Sequence, residues 1–245
     1  MIRRFLAALQ FLTVLPIPGS TASLGEAAIF FPVAGALLGA SAGTVMRICG
    51  LGFGPSVSAA ISMIWLVTAT GSLHEDGFAD VADAVRAARR RDRMMEILKD
   101  SRIGTYGAVA LVLSILTRWQ ALAETTVNPI AGLTAALALS RASMVVLAAF
   151  TPSAGTGLGQ AFVAACSPKT VLAVEPQAIL IVALAAIYIG WERAVALMAA
   201  TIVIIFLVRT FFIRRLGGVN GDCLGATCQA IEIVNMVILA WHPSF

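Results

Sequence analysis

Residues 194–212 read AVALMAATIVIIFLVRTFF, a run of nineteen residues with a single charged side chain, Arg209. A helix needs about 20 mostly apolar residues to cross the hydrocarbon core of a bilayer. Similar runs recur along the chain, at 28–49, 56–74, 105–123, 130–150, 171–190 and 223–241. The sequence therefore predicts an all-α fold, a polytopic transmembrane helix bundle of about seven spans.

The overall composition supports the same class of protein. Hydrophobic residues make up 59% of the 245 residues and charged residues only 12%, whereas soluble domains average about 25% charged residues. No polar linker divides the chain, so we expect one integral membrane domain over residues 1–245. The segment MIRRFLAALQFLTVLPIP at residues 1–18 predicts an N-terminal helix that lies in the membrane interface. The four cysteines suggest neither a zinc site nor a disulfide framework, and no basic stripe with aromatic residues indicates nucleic-acid binding.

The distribution of basic residues predicts the orientation. If the N-terminus lies inside, 13 of the 17 Lys and Arg residues fall on the cytoplasmic side, as the positive-inside rule requires. These residues are Arg3, Arg4, Arg86, Arg89, Arg90, Arg91, Arg93, Lys99, Arg102, Lys169, Arg209, Arg214 and Arg215. Another pattern concerns packing, since GALLGASAG at 35–43 repeats glycine every fourth residue. This spacing predicts close contact with another helix.

Acidic residues cluster where the second predicted span meets the cytoplasm. Asp76, Asp80 and Asp83 have helical spacing i, i+4 and i+7, which places them on one narrow stripe. Three carboxylates on a stripe repel one another, so a bound cation is one interpretation, and oxygen ligands favour Mg²⁺ or Mn²⁺. The alternative is a solvated helix end that pairs with the following arginines. His74 is open to three interpretations: a ligand, a general base or an interfacial residue.

Two further segments carry chemistry suited to phosphate. Lys99, Ser101 and Arg102 precede a predicted span and form a candidate anion cradle, although such a patch also suits anionic lipid head groups. The segment GGVNGD at 217–222 places glycines and Asn220 before a helix, where backbone amides favour a phosphate. Asp222 has two interpretations, a functional carboxylate or the N-cap of its helix.

Taken together, these motifs resemble the cobalamin synthase family, the adenosylcobinamide-GDP ribazoletransferases. The resemblance is carried by FLTVLPIP at 11–18, FPVAGALLGA at 31–40, the pattern HxDGxADxxD from His74 to Asp83, RDRMMEILKDSRIGTYG at 91–107 and GGVNGDCLGA at 217–226. It implies an enzyme of the inner membrane, with its active site on the cytoplasmic side. The implied reaction transfers the phospho-cobinamide group of adenosylcobinamide-GDP to α-ribazole or its 5′-phosphate and releases GMP, with Mg²⁺.

The resemblance also implies roles for individual residues. Metal ligands would be Asp76, Asp80, Asp83 and Asp222, and the proton of the attacking hydroxyl would go to Asp100 or His74. Phosphate would be held by residues near two spans: Lys99, Ser101, Arg102, Gly218, Asn220 and Gly221. Glu75 and Asn220 depart from the pattern of the family, which usually carries an apolar residue and a threonine there.

Two questions stay open at this point. Docking of other cobalamin-pathway enzymes on the membrane face is one of them. The other is a rival function, a transporter, which would use the charges predicted inside spans at Arg118, Arg141 and Glu232.

Overall fold

The computed structural model describes residues 1–17, 22–87, 89–100 and 102–242. These residues form helices joined by short loops, and in the described ranges the only strand-like pairing is a bridge between Ser153 and Val219. The helices are α1 Ile2–Leu12, α2 Leu24–Ala27 with a 3-10 turn at Ala28–Phe30, α3 Phe31–Cys49, α4 Pro55–Thr70, α5 Leu73–Ala87, α6 Arg91–Ile97, α7 Thr105–Glu124, α8 Pro129–Ala149, α9 Leu158–Ala165, α10 Pro168–Ile189, α11 Trp191–Leu216 and α12 Gly221–Leu239. The predicted all-α class and the N-terminal helix are confirmed.

The number of spans also agrees with the prediction. In the described part of the chain, six helical segments are long and apolar enough to cross a membrane, and α4 with α5 makes a seventh if the pair counts as one span. The pair is bent by 87°. The predicted span 56–74 was therefore too long at its end, because α4 stops at Thr70. Gly71 caps α4 in the left-handed conformation with φ +62°, and Ser72 follows with φ +58°, so the chain turns before α5 begins.

Helix α8 forms the centre of the bundle, and α3 packs directly against it. In the most apolar stretch of α8, 78% of the residues are buried, whereas in that of α11 only 17% are buried. The contact with α3 is close because a Cβ at Gly35 or Gly39 would lie 2.3 Å or 2.1 Å from a carbonyl oxygen of α8. The glycine spacing thus lets the two backbones touch, as predicted. In contrast, α10 and α11 expose large apolar side chains such as Ile187 and Phe206, which suits contact with lipid.

Buried charges connect the central helices to α5. Arg118 of α7 is fully buried and donates to Glu75 of α5 at 2.9 Å and to Glu232 of α12 at 3.5 Å. Arg141 of α8 donates to the other oxygen of Glu232 and to Ser140. The network contains two arginines and two glutamates, so it is electrically neutral. Ion pairing of this kind is what allows charges to lie inside an apolar bundle, and it ties the first turn of α5 to three neighbouring helices.

Candidate active site at the acidic end of the bundle

One end of the bundle, here called the acidic end, is where α4 stops, α5 crosses, and α7 and α12 begin. All three aspartates of the predicted stripe lie on the same helix, α5. Their environments differ, since Asp76 is exposed, Asp80 is half-buried and Asp83 is buried. A single stripe therefore spans the change from solvent to protein interior.

Asp83 has a structural contact that the sequence did not predict. One of its carboxylate oxygens accepts from the amide of Gly104 at 2.7 Å and the other from the amide of Gly107 at 2.9 Å. These amides belong to the start of α7, where the first N–H groups of a helix have no partner inside the helix. A side chain at either glycine would collide with this carboxylate, since a Cβ would lie 2.4 Å from one of its oxygens. Asp83 thus attaches α5 to α7.

Asp222 reaches the stripe from almost 140 residues away in the sequence. A Cβ at Gly77 would lie 2.8 Å from the carbonyl oxygen of Asp222, so α5 and α12 touch at this point. The charges of Asp76, Asp83 and Asp222 all act on the carboxyl group of Asp80. Four carboxylates therefore lie at the acidic end, three from α5 and one from α12.

The N-cap of α12 is Asn220 and not Asp222, so the N-cap interpretation of Asp222 is wrong, while its role as a functional carboxylate stays a prediction. The Asn220 Oδ1 accepts from the amide of Cys223 at 2.9 Å, and its Nδ2 donates to Asp222 at 2.8 Å. The physical reason is position: Asn220 has extended backbone angles just before the helix, whereas Asp222 lies within the first turn. Asp222 lines the same cavity as Asp76 of the stripe.

The glycine loop before α12 is held by backbone bonds. Gly218 donates its amide to Phe212, and Val219 donates to Pro152 at 2.8 Å. The Gly218 amide is therefore occupied by a carbonyl, which corrects the prediction that it faces a phosphate. Gly221 lies at the wall of a cavity, and its role in holding a phosphate stays a prediction.

A cavity of about 200 Å³ opens between α1, α5, α8, α9 and α12. The polar side chains in its lining are those of His74, Asp76 and Asp222. The apolar side chains in its lining are those of Phe11, Leu73, Met144, Leu158, Phe162 and Leu224. Glycines at 77, 159, 221 and 225 complete the wall. The acidic end thus offers a pocket with carboxylates at one edge and an apolar interior.

His74 is the most unusual polar residue of this cavity. Its side chain is only 2% exposed, and neither ring nitrogen has a hydrogen-bond partner among the described residues. Buried polar groups are nearly always paired, because an unpaired one loses its hydrogen bonds to water. The role of His74 as a ligand, a general base or an interfacial residue stays a prediction.

The other predicted phosphate site, formed by Lys99, Ser101 and Arg102, is arranged differently from the glycine loop. Lys99 and Arg102 are exposed, and Ser101 lies outside the described residues. Arg102 grips the Asp100 carboxylate through Nε and Nη2, at 3.0 Å and 2.7 Å. These hydrogen bonds lower the pKa of Asp100 to about 2. A carboxylate with so low a pKa is a weak base, and Arg102 can hold a phosphate only by exchanging its partner.

The carboxylates at the acidic end are suitable ligands for Mg²⁺, although the protein alone does not supply a complete set of ligands. In the described residues, no three His, Cys, Asp or Glu side chains are grouped closely enough to hold one ion. Mg²⁺ does not require such a group, since it usually keeps several waters and is held by one or two carboxylates together with phosphate oxygens of a substrate. Asp76, Asp80 and Asp222 are not fully buried, so their side chains can rotate toward a shared ion.

Two elements of the site were missed in the sequence. Phe11 of α1 and Phe162 of α9 both stack on the buried Phe31, with ring centroids 5.8 Å and 5.3 Å apart. Helix α9 is pressed against the start of α12, where a Cβ at Gly159 would lie 2.4 Å from the Gly221 amide. In the sequence, these two elements are marked by the motif FLTVLPIP at 11–18 and the glycine-rich segment GTGLG at 155–159. Neither motif indicates which helices it will contact.

Comparison with known proteins gives a match along almost the whole chain. A family model described as cobalamin-5-phosphate synthase matches residues 4–240. An adenosylcobinamide-GDP ribazoletransferase from Escherichia coli O45:K1 is 35% identical over 249 residues, which cover 98% of this chain and 100% of the relative. The protein of the same name from Escherichia coli K12 is 34% identical with the same coverage. No solved structure matches this chain.

Proposed function

The chain belongs to the cobalamin-5-phosphate synthase family, and from this premise we propose that it acts as an adenosylcobinamide-GDP ribazoletransferase, the activity for which its 34–35% identical relatives are named. It is a membrane-embedded transferase of cobalamin synthesis. The observation that supports the proposal best is the meeting of Asp222 with the α5 stripe beside a cavity. This arrangement places carboxylates that can hold a metal beside a pocket, which suits transfer of a phosphate-linked group.

In the proposed reaction, a ribose hydroxyl of α-ribazole or its 5′-phosphate attacks the diphosphate phosphorus that carries the cobinamide. A new phosphorus–oxygen bond forms, the bond to the bridging oxygen breaks, and GMP leaves with that oxygen. The hydroxyl proton passes to a base on the protein. Negative charge builds on the phosphate oxygens, so the protein acts mainly by positioning and by neutralising charge.

We assign Asp76, Asp80 and Asp222 to hold Mg²⁺ at the acidic end. When bound, Mg²⁺ would neutralise the charge of the diphosphate. Asp83 was predicted as a further ligand, but both of its oxygens already accept backbone amides. It would therefore act mainly by fixing α5 against α7. Lys99 and Arg102 remain candidates for binding phosphate from the exposed rim.

For the base, we favour His74 over Asp100. His74 lines the cavity and has unpartnered nitrogens, so it can accept a proton from a hydroxyl bound there. Asp100 is engaged by Arg102, and its pKa of about 2 leaves it little affinity for a proton. Its position in the lining of the cavity therefore favours His74 over Asp100.

The transporter alternative loses its main support. It relied on charges inside the spans, and Arg118, Arg141 and Glu232 are partners of one another and of Glu75. These charges need no transported ion to explain them. Among the described residues, Asp76, Asp80 and Asp222 have no ion pair and lie at the acidic end.

The activity is tested with purified protein in detergent, adenosylcobinamide-GDP, α-ribazole and Mg²⁺. We expect GMP release that requires both substrates and the metal. Asp222→Asn should lower turnover by about 100-fold or more, because it weakens the site that neutralises charge in the transition state. Asp92→Asn is the matched control, an exposed aspartate at the same end whose loss should leave turnover unchanged. Absence of GMP release from the unaltered protein, or normal turnover of Asp222→Asn, would count against the proposal.

The orientation is part of the proposal. We place the acidic end on the cytoplasmic side of the inner membrane, where the substrates are available, because the basic residues of 86–102 and 209–215 lie at this end. Docking of other cobalamin-pathway enzymes would use the same end, where the charged helix α6 is exposed. Cysteine labelling in cells should place 84–104 and 213–221 in the cytoplasm. Labelling of the two loops from opposite sides would refute the orientation and the shared site.

A further inference from the structure

We infer that the cavity between α1, α5, α8, α9 and α12 binds the acceptor nucleoside, with its flat base against the wall formed by Phe11, Met144 and Phe162. The inference rests on the proposed function and adds a location for one of its two substrates. It also assigns a role in substrate selection to α1 and α9, which carry none of the predicted site residues.

The wall is built to receive an apolar, flat group. Met144 and Phe162 are almost completely buried, while Phe11 is half-buried at the edge of the cavity. Phe31 lies between the two phenylalanine rings and stacks on both, at interplanar angles of 13° and 16°. The rings therefore support one another and do not depend on a ligand to hold them. A heteroaromatic base placed here gains contact with aromatic and thioether groups.

The polar residues in the lining of the cavity supply groups for a ribose. His74 is buried, belongs to this lining and has no partner for either ring nitrogen in the described chain. A neutral imidazole has one nitrogen that donates and one that accepts, and ribose hydroxyls can do both. Asp76 and Asp222 lie at the same edge. A nucleoside with its base on the apolar wall would thus present its ribose to the predicted base and metal site.

The size of the cavity excludes the larger substrate. Its volume of about 200 Å³ is below the 300–1,000 Å³ that is typical of sites for drug-sized ligands. A corrin macrocycle is far larger than this. A two-ring base fits the space, with the sugar at the opening.

The chemistry of the wall distinguishes the two bases that occur in the reaction. Guanine carries a carbonyl, a ring N–H, an amino group and a ring nitrogen along its edges. The apolar wall pairs with none of these, and a buried polar group without a partner weakens binding. The benzimidazole base of α-ribazole has one free ring nitrogen and is otherwise apolar. The wall therefore favours the acceptor over the guanine of the donor.

Gly225 offers a substitution that narrows the cavity without disturbing the fold. It lies within α12, and a Cβ there would lie 3.6 Å from the Cα of His74, an ordinary contact distance. Alanine also favours helix formation over glycine. The control is Gly52→Ala in the turn between α3 and α4, where a Cβ would have no neighbour within 4 Å.

The experiment measures binding of radiolabelled α-ribazole to purified protein by equilibrium dialysis, with no donor substrate present. We expect Gly225→Ala to weaken binding by about ten-fold or more, since one methylene in an apolar pocket changes binding by that order. Gly225→Ala should weaken binding less for a nucleoside whose benzimidazole base lacks the two methyl groups of α-ribazole. GMP affinity should be unchanged in Gly225→Ala, and Gly52→Ala should bind both ligands normally.

Other outcomes overturn the inference. If Gly225→Ala loses affinity for GMP and not for α-ribazole, the cavity holds the guanine of the donor. If neither affinity changes, the nucleoside binds elsewhere. Phe11→Leu gives a second, independent measurement at the rim and should also weaken α-ribazole alone. Turnover separates this inference from the proposed function: normal GMP release with unchanged α-ribazole binding in both variants would refute the location only. Absent GMP release with the expected binding changes would refute the reaction only.

Discussion

The buried pair of Glu75 and Arg118 permits a quantitative test of how this bundle tolerates charge. Arg118 is fully buried and Glu75 is 6% exposed, and their side chains meet at 2.9 Å. Glu75→Leu leaves Arg118 with only the longer contact to Glu232 and the neighbouring Gln229, whose amide oxygen can face Nη2 of Arg118 at 2.8 Å. Arg118→Met leaves Glu75 without its cation. Each change should lower the free energy of unfolding by about 3–5 kcal/mol, because it leaves a buried charge uncompensated.

The double variant Glu75→Leu/Arg118→Met should be more stable than either single variant. It removes both charges together, replaces them with apolar groups of similar volume, and leaves Glu232 paired with Arg141. Replacement of a whole buried ion pair in this way is often neutral or stabilising. The measurement is unfolding in mixed micelles followed by tryptophan fluorescence, with the four variants forming a double-mutant cycle.

An exposed pair on α6 provides the matched control. Arg93 and Glu96 meet at 2.6 Å, closer than Glu75 and Arg118, but both side chains are more than 60% exposed. Glu96→Gln should therefore change the free energy of unfolding by less than about 1 kcal/mol. The reasoning is refuted if the double variant loses the sum of the two single losses, or if Glu96→Gln is as damaging as Glu75→Leu. In the first case the two residues do not interact, and in the second burial is not what makes the pair important.

Three further predictions concern packing, the start of α7 and pH. Gly39→Ala places a Cβ 2.1 Å from a carbonyl oxygen of α8, so it should lower the free energy of unfolding by about 1–3 kcal/mol in the same assay, whereas Gly52→Ala should not. Asp83→Ala removes the acceptor for two amides and should destabilise by about 2 kcal/mol, and an equal stability to the unaltered protein would contradict its role in fixing α7. The pKa of Asp100 is lowered to about 2 in the folded state, so its contribution to stability is present above its unfolded pKa and is lost as the pH falls toward 2. Asp100→Asn should accordingly leave the pH profile of turnover unchanged above pH 5, and a shifted profile would restore Asp100 as the base.

Much of the architecture could be predicted from the chain because the bilayer imposes simple conditions. Long apolar runs in this sequence become helices, since every backbone N–H and C=O must be paired within lipid. The end of α4 was missed because the apolar run continues to Leu73, while the helix stops at the left-handed Gly71. Hydropathy indicates which segments can lie in a membrane, but it does not indicate a local change in backbone angles.

The sequence by itself determined the helical class, the approximate number of spans, the close contact of α3 with another helix and the position of three aspartates on one helix. These properties depend on local composition and on the periodicity of the helix. Tertiary structure alone decided that α12 touches α5 at Asp222, that Asp83 holds the start of α7, and that Phe11 and Phe162 line one cavity with His74. It also decided that Glu75 pairs with Arg118. Each of these is a contact between distant segments, and spacing along a chain determines which residues share a helix face but not which helix that face will meet.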